Sequence, residues 1–282
     1  MKFKIISAML VLALASLACS FTINLPETAT PGPDVTDSIS VAAPSSGEVN
    51  LEINFGAGDL TLAPGAEGLV SGTATYNYPD LKPKIEQDGN SVKISQGPFE
   101  FKGVPTLNNV KNTWDLKLGS APMALTLAAG AYNGTLELGG LSLTNLTVKD
   151  GASTVKLNFS APNQTEMTVF RYETGASDVT IKGLANANFG TMIFSGGAGN
   201  YDLGFDGELK RDATITVDCG LSDVTLRVPK GVHAVVTVEG GLSGVNTSSN
   251  WTRSGDTYTQ AGSGPTLTII VKIGAGNLTL TD

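Results

Sequence analysis

The sequence is poor in the residue types that carry metal and thiol chemistry, with one histidine and two cysteines among 282 residues. That scarcity excludes most His- or Cys-rich metal sites and most thiol-based catalysis. Charged residues make up 16%, against about 25% in soluble domains. Lys and Arg number 18 against 26 Asp and Glu, for a formal net charge of −8. Because nucleic acids are bound through basic surfaces, this balance argues against a nucleic-acid partner.

The first 18 residues have the features of an export signal. Lys2 and Lys4 precede an apolar run at residues 5–17, which is shorter than the roughly 20 residues that span a bilayer. The run ends in Ser16-Leu17-Ala18-Cys19, which resembles the lipobox of bacterial lipoproteins, although Ser16 stands where lipoboxes usually carry Leu. We therefore predict a lipoprotein signal peptide at 1–18 and lipidation of Cys19. The alternative is an ordinary secretory signal that is cleaved nearby.

Residues 19–36 read as a tether. They contain three prolines, at positions 26, 31 and 33, among Thr, Ser and Ala. Such a composition has too little apolar surface to pack into a core and favours a semi-extended, disordered chain. After the leader, no apolar run is long enough to cross a membrane, and no convincing helical period is present. Lipid on Cys19 would therefore anchor the chain to a membrane without spanning it.

A repeated motif, Gly-Ala/Leu-x-Asp/Asn-apolar-Thr-apolar, dominates the rest of the chain. Between Gly130 and Gly241 it recurs about every 22 residues, whereas longer intervals separate Gly56 from Gly130 and Gly241 from Gly274. Apolar residues stand five and three positions before each glycine and, except for Thr247, six after it, with mostly polar residues between. The first residues of the eight copies are Gly56, Gly130, Gly151, Gly175, Gly197, Gly220, Gly241 and Gly274.

Period-two alternation is typical of strands with one buried face and one wet face. Each copy is therefore predicted to form a strand, a tight turn at the glycine, and a second strand, because glycine accepts the positive φ of a sharp reversal. Stacked copies would bury a continuous core. Sequential antiparallel pairing would also satisfy the pattern, but the matched columns favour a β-solenoid in which successive copies stack in parallel.

The two long intervals are predicted to hold hairpin insertions. Segments 82–87 and 91–96 flank Asp88-Gly89-Asn90, and segment 251–260 contains Ser254-Gly255-Asp256. Trp114 and Trp251 fall within these insertions and would cover the open ends of the stack. We therefore assign 37–120 to an N-terminal part of the solenoid with a hairpin insertion, and 121–282 to a regular C-terminal solenoid.

Carboxylates recur at one motif position, which makes them the candidate metal ligands. Asp59, Asp178 and Asp223 share the column and would stack on one edge. One hypothesis is a calcium ladder, because calcium prefers oxygen ligands. The other is a ladder of Asx turns without an ion, which the interruptions at Thr154 and Gly244 favour. The same column also contains Asn133, Asn200 and Asn277.

No catalytic constellation is recognisable. His233 lacks a neighbouring nucleophile or carboxylate motif and reads as a turn residue. Cys219 follows Ile215 and Val217 on the same strand face, so a small buried hydrophobe is favoured over a reactive thiol. A few aromatics could stack on sugar if exposed, although packing at the solenoid's ends is the simpler prediction. These aromatics are Tyr76, Tyr78, Trp251 and Tyr258.

The repeats, together with the leader, resemble bacterial toast-rack proteins and the related candidate adhesin domains. The resemblance covers residues from about 37 to 282. It is carried by GAGDLTLAPGA (56–66), WDLKLG (114–119) and ANFGTMIFSGGAGNYDL (187–203). Those families imply an all-β, right-handed, single-chain β-solenoid, here of about eight coils. They also imply export to the cell surface, and they carry no established catalytic residues.

The sequence therefore predicts an exported, lipid-anchored surface protein with a non-catalytic binding, adhesin-like or structural role. The expected partners are the membrane, through the lipid, and a cell-wall or surface glycan or protein, with no cofactor. One alternative is an envelope-stress sensor or regulator, because related domains occur in such proteins. A weaker alternative is a polysaccharide-processing β-helix enzyme, which requires clustered carboxylates in a groove.

Overall fold

The structure, a computed structural model, describes residues 31–96, 110–241 and 244–282. Nearly all of them belong to one compact unit, Gly32–Phe99 with Val110–Asp282. The predicted signal peptide, Cys19 and most of the 19–36 tether lie outside the described residues, although strand β1 already begins at Val35. Within the described ranges no α-helix occurs, and no helix is long and apolar enough to cross a membrane.

The described chain is all-β, with 3₁₀ turns at Pro79–Leu81 and Leu184–Ala187. The strands are β1 Val35–Val41, β2 Val49–Pro64, β3 Val70–Tyr76, β4 Pro83–Asp88, β5 Ser91–Gln96, β6 Asn112–Leu118, β7 Met123–Glu137, β8 Leu143–Asn158, β9 Met167–Lys182, β10 Phe189–Gly204, β11 Ala213–Arg227, β12 Gly231–Glu239, β13 Gly244–Thr247, β14 Trp251–Ser254, β15 Thr257–Gln260, β16 Gly262–Ala275 and β17 Asn277–Thr281.

The repeats stack in parallel, as the matched columns predict. Strands β2, β7, β8, β9, β10 and β11 pair in that order, and equivalent motif positions lie opposite one another. Leu125 of β7, for example, pairs with Leu51 on one side and Leu146 on the other. All three are buried, so the apolar columns become continuous ladders inside the stack. The antiparallel alternative is wrong for these strands.

The motif glycines lie in one file, but the reason differs from the one predicted. Strands such as β9 continue past their glycine without the predicted tight turn, and none of the eight glycines has a positive φ. The strands only bend at this position. A Cβ on Gly175 would instead lie 2.5 Å from the carbonyl oxygen of Gly151. Glycine is needed because neighbouring backbones approach closely at the bend, and not for a sharp reversal.

The last two repeats do not follow chain order. Strands β16 and β17 pair with β11 on one side and with β12 and β13 on the other. Gly274 accordingly faces the carbonyl oxygen of Gly220, and Gly241 faces that of Gly274. The sequential stacking implied by the repeat pattern is therefore wrong at this end. We call residues 262–281 the interposed repeat.

Side-chain size explains this order. Ile273, Leu278 and Leu280 of the interposed repeat are almost fully buried between two rungs. The corresponding residues of the outer repeat are Gly240, Val245 and Thr247, which are exposed or half-buried. Since burial of apolar area stabilises the fold, the larger side chains belong inside and the smaller, more polar repeat at the end.

The chain reaches its interposed position by crossing over β12. Strand β15 lies antiparallel along one edge of β12, and β16 lies parallel along the other. Gly262 stands at the crossing, where a Cβ would lie 2.2 Å from the backbone nitrogen of His233. Only glycine fits this approach of two backbones.

Both predicted hairpins are present and lie at the ends of the stack. Strands β4 and β5 form one, joined to β2 through β5, and β14 and β15 form the other, joined to β12 through β15. Trp114 lies on β6, beside β2, fully buried with its ring 5.3 Å from that of Phe55. Trp251 lies on β14 and is also buried.

Candidate functional site

An open groove runs along the bend of the stack. It has a volume of about 750 Å³ and crosses five neighbouring strands, β2 and β7–β10. At about 4.8 Å per rung it is roughly 19 Å long. We call it the bend groove. Its lining residues are Gly58, Asp59, Ala131, Tyr132, Asn133, Ala152, Ser153, Thr154, Ala176, Ser177, Asp178, Ala198 and Gly199.

The repeat itself produces the groove. The position after the motif glycine is alanine in β7–β10, so that little side chain rises above the bend. The next position is Gly58 in β2 and Gly199 in β10, each with a positive φ and with no space for a Cβ against a neighbouring carbonyl oxygen. One rung beyond the groove the alanine position becomes Leu221, which is 66% exposed. The small residues thus define the groove's length.

The groove's rim contains the predicted carboxylate column, but as amide–carboxylate pairs. Asn133 Nδ2 donates to Asp59 Oδ1 at 2.9 Å, and Asn200 Nδ2 donates to Asp178 Oδ1 at 2.8 Å. Beyond the groove, Asn277 makes the same bond to Asp223 at 2.9 Å. Every Asp of the column is therefore followed, on the next rung, by an Asn that donates to it.

The three candidate metal ligands are not brought together. Asp59 and Asp178 are three rungs apart, about 14 Å, and Asp178 and Asp223 are two rungs apart, about 10 Å. In the part of the chain that the structure describes, no group of three or more His, Cys, Asp or Glu residues could hold a metal ion. The column's amides bridge neighbouring rungs, and the predicted Asx turns are replaced by these inter-rung bonds.

The floor of the groove lies over a hydroxyl network centred on Asp150. The Tyr172 hydroxyl donates to Asp150 Oδ2 at 2.8 Å, and the Thr174 hydroxyl donates to Asp150 Oδ1. Ser177 Oγ lies 2.6 Å from Thr174 Oγ1 and 2.9 Å from Ser153 Oγ. Sequence reasoning missed this network. Its one signal was Asp150, the single carboxylate in the column directly before the glycines.

Burial fixes the protonation of the phenols below the groove. It raises the pKa of Tyr132 and Tyr172 well above the ordinary value, and the nearby Asp150 carboxylate adds to the rise. Both phenols therefore stay neutral to higher pH than an ordinary tyrosine, which is already uncharged at physiological pH. None of the groove's lining residues is His, Cys, Lys or Arg, and the carboxylate nearest to the lining serines is Asp150, whose Oδ1 lies 3.4 Å from Ser177 Oγ. The groove is equipped to hydrogen-bond a ligand.

The two carboxylates that line the groove, Asp59 and Asp178, are separated by about 14 Å along the stack. Glycosidase pairs need carboxyl groups about 5–9.5 Å apart, so these two do not form such a pair. Outside the groove, His233 Nδ1 lies 3.2 Å from Thr266 Oγ1. Cys219 is buried, and burial raises the pKa of its thiol to about 12, which is the state of an unreactive core cysteine.

The aromatic residues considered as sugar platforms are buried. Tyr76 donates to Asp37 Oδ2 at 2.7 Å, and the Arg253 guanidinium lies 5.4 Å from the centre of the Tyr258 ring. Their rings pack within the protein, as the simpler prediction had it. The four residues are Tyr76, Tyr78, Trp251 and Tyr258.

The comparisons with known proteins agree with this fold. Residues 30–182, more than half of the chain, match the family model described as the N-terminal domain of toast_rack. The chain belongs to the toast-rack family. This toast-rack protein is also similar to the crystal structure of a candidate cell adhesion protein from Clostridium sporogenes. The match has a TM-score of 0.55 at 20% identity and covers 88% of this chain and 99% of the other.

A second similar structure is a candidate adhesin from Bacteroides fragilis, with a TM-score of 0.45 at 11% identity. It covers 88% of the toast-rack chain and 97% of the other protein. The search among curated proteins found no match. At such low identities, the Clostridium structure supports the all-β fold and says nothing of this chain's ligand.

Proposed function

We propose that this toast-rack protein is an exported, lipid-anchored surface protein with a non-catalytic, adhesin-like binding role. The observation that carries the proposal is the bend groove, an open row of amides, carboxylates and hydroxyls whose lining contains no His, Cys, Lys or Arg. The export half of the proposal is supported by Lys2, Lys4, the apolar run and the lipobox-like sequence that ends at Cys19.

The architecture in this proposal is a right-handed β-solenoid of about eight coils. The file of eight glycines supports the number of coils, because every motif glycine after Gly56 faces the carbonyl oxygen of the motif glycine in an adjacent repeat. A stiff stack of this kind presents the same groups at intervals of about 4.8 Å. That regularity suits a partner that is itself a regular chain.

The ligand that fits the groove best is a neutral, hydroxyl-rich chain, and we take a cell-wall or surface glycan as this ligand. Hydroxyl groups can both donate to and accept from the Asp, Asn, Ser and Thr side chains of the groove. The groove's lining contains the carboxylates of Asp59 and Asp178 and no lysine or arginine. A negatively charged chain would therefore be repelled. The open shape admits a chain that continues beyond both ends.

A bulky side chain in the groove should weaken this glycan binding. Ala176 is exposed on the groove floor, and we expect Ala176→Trp to weaken glycan binding at least about tenfold, or about 1.4 kcal/mol. Ala275→Trp is the matched control, because Ala275 occupies the same motif position and is exposed outside the groove. A glycan array followed by calorimetry measures both. Equal affinities for the two variants, or no glycan bound by the wild type, would contradict the proposal.

The anchor has a separate test. Mass spectrometry of the native N-terminus should find a lipid-modified Cys19 as the first residue, and Cys19→Ser should release the protein from membranes. The control is Ser20→Ala, which leaves the cysteine in place. An unmodified terminus, or cleavage beyond Cys19, would refute the lipid anchor and leave glycan binding untouched.

A further inference from the structure

The interposed repeat occupies a slot between β11 and the outer repeat. Strand β16 pairs in parallel with β11 from Ala213↔Leu267 to Leu221↔Ala275, and β17 continues the pairing with Val224↔Leu278. On its other side β16 pairs with β12 along the length of that strand. The slot therefore has a parallel strand edge on each side, β11 on one and β12 on the other. The segment that fills it does not follow its neighbours in chain order.

The slot is specific for this segment. Asn277 donates to Asp223 Oδ1 through both its backbone nitrogen, at 3.0 Å, and its side-chain amide, at 2.9 Å. In the outer repeat, Gly244 stands at the position of Asn277 and Gly240 at that of the buried Ile273. If the outer repeat moved onto β11, Asp223 would lose its donor and the core would lose side-chain volume. The preceding repeat is thus a poor substitute for the interposed one.

The start of β16 has the composition of a hinge. Residues 261–265 read Ala-Gly-Ser-Gly-Pro, and residues 261–264 are exposed. Gly264 has a φ of +83°, with nothing within 4 Å of an added Cβ. Gly262 and Ser263 pair with Gly231 and Val232 of β12, so these two pairs must open before residues 266–281 can leave the slot; the five residues 261–265 then span up to about 17 Å. Hinges are built from a few such residues that absorb large backbone changes.

We propose that the interposed repeat is exchangeable between copies, and that the slot beside β11 is an interaction surface for residues 262–281 of a second copy of this chain. The partner's segment would present the same Asn277, the same apolar column and the same backbone edge. Because every contact inside the slot is reproduced, the exchange depends on concentration and on opening of the hinge. This inference is independent of the proposed glycan site.

Disulfide trapping tests the exchange directly. Thr216 of β11 and Ile270 of β16 are register partners on the outer face, where neighbouring strands have the spacing that a disulfide needs. Thr216→Cys with Ile270→Cys, in a Cys19→Ser, Cys219→Ala background, is unfolded, refolded at several concentrations and oxidised. Non-reducing electrophoresis then separates linked dimers from internally linked monomers. The dimer-to-monomer ratio should rise about tenfold for a tenfold rise in concentration while dimers are few.

The matched control links two rungs that follow chain order. Ile193 of β10 and Thr216 of β11 are register partners on the same face, and Ile193→Cys with Thr216→Cys should give only internally linked monomers. Linked monomers alone in both variants would overturn the exchange, as would equal dimer yields, which indicate unspecific association. If either variant fails to fold, light scattering of refolded wild-type protein decides: a dimer supports the exchange, and a monomer at every concentration overturns it.

Discussion

Gly175→Ala is expected to lower the free energy of unfolding by about 2–3 kcal/mol, the cost of forcing a Cβ against the paired backbone of the neighbouring rung. The added Cβ would lie 2.5 Å from the carbonyl oxygen of Gly151, well inside the roughly 3.5 Å at which non-bonded atoms attract one another. The contact is with the backbone of β8, and β9 is itself held by pairing with β8 and β10. The strain therefore cannot be relieved by turning a side chain.

Gly244→Ala is the control for this substitution. Its Cβ would have one neighbour, the Asn277 side chain at 3.6 Å, and its backbone does not have a positive φ. We expect a change within about 0.5 kcal/mol, because alanine also reduces the entropy of the unfolded chain. Chemical denaturation of both variants measures the difference. Equal stabilities would mean that the rungs do not approach closely at their glycines.

Phe194→Ala is expected to cost more, about 3–5 kcal/mol, the usual range for truncating a buried aromatic residue. Its ring is stacked on Tyr172 with centroids 5.3 Å apart and meets Tyr201 edge-to-face at 4.9 Å. All three side chains are almost fully buried, so the truncation leaves a cavity between Tyr172 of β9 and Tyr201 of β10.

Leu221→Ala gives the matched control for the loss of apolar side-chain atoms. Leu221 is 66% exposed at the bend of β11, so its truncation should change stability by no more than about 0.5 kcal/mol. Thermal unfolding followed by circular dichroism compares the two variants. If Phe194→Ala were as stable as Leu221→Ala, the aromatic contacts of Phe194 with Tyr172 and Tyr201 would not contribute to the stability of the core.

Much of this fold could be predicted from the sequence because the repeat fixes it locally. Period-two alternation and matched columns predict parallel, in-register strands, and Leu51, Leu125 and Leu146 lie in one ladder as a result. The order of the last two repeats could not be read in this way, because either order satisfies the columns. The weak signal was the small or polar character of Gly240 and Thr247, which suits an outer rung.

The candidate site was half predictable. The Asp/Asn column appears directly in the sequence, and its alternation already contains the Asp59–Asn133 and Asp178–Asn200 pairs, whereas the Asp223–Asn277 pair depends on the interposed order. The network around Asp150 was not visible, because Thr174 and Ser177 reach the carboxylate from the adjacent rung and no spacing rule relates them. The motif glycines were recognised, but their role was not. A glycine needed because two strands approach closely looks the same in the sequence as a glycine needed for a tight turn.

The order of the rungs is tested most directly by two spin-label distances. Thr126, Thr237 and Ile270 occupy one motif column on β7, β12 and β16. Counting rungs at about 4.8 Å, Ile270 lies about 24 Å from Thr126, and Thr237 lies about 29 Å from it. Double electron–electron resonance on the two cysteine pairs should find the label at 270 nearer than the label at 237. The reverse order would show that the repeats stack as they follow one another along the chain, with no interposed repeat.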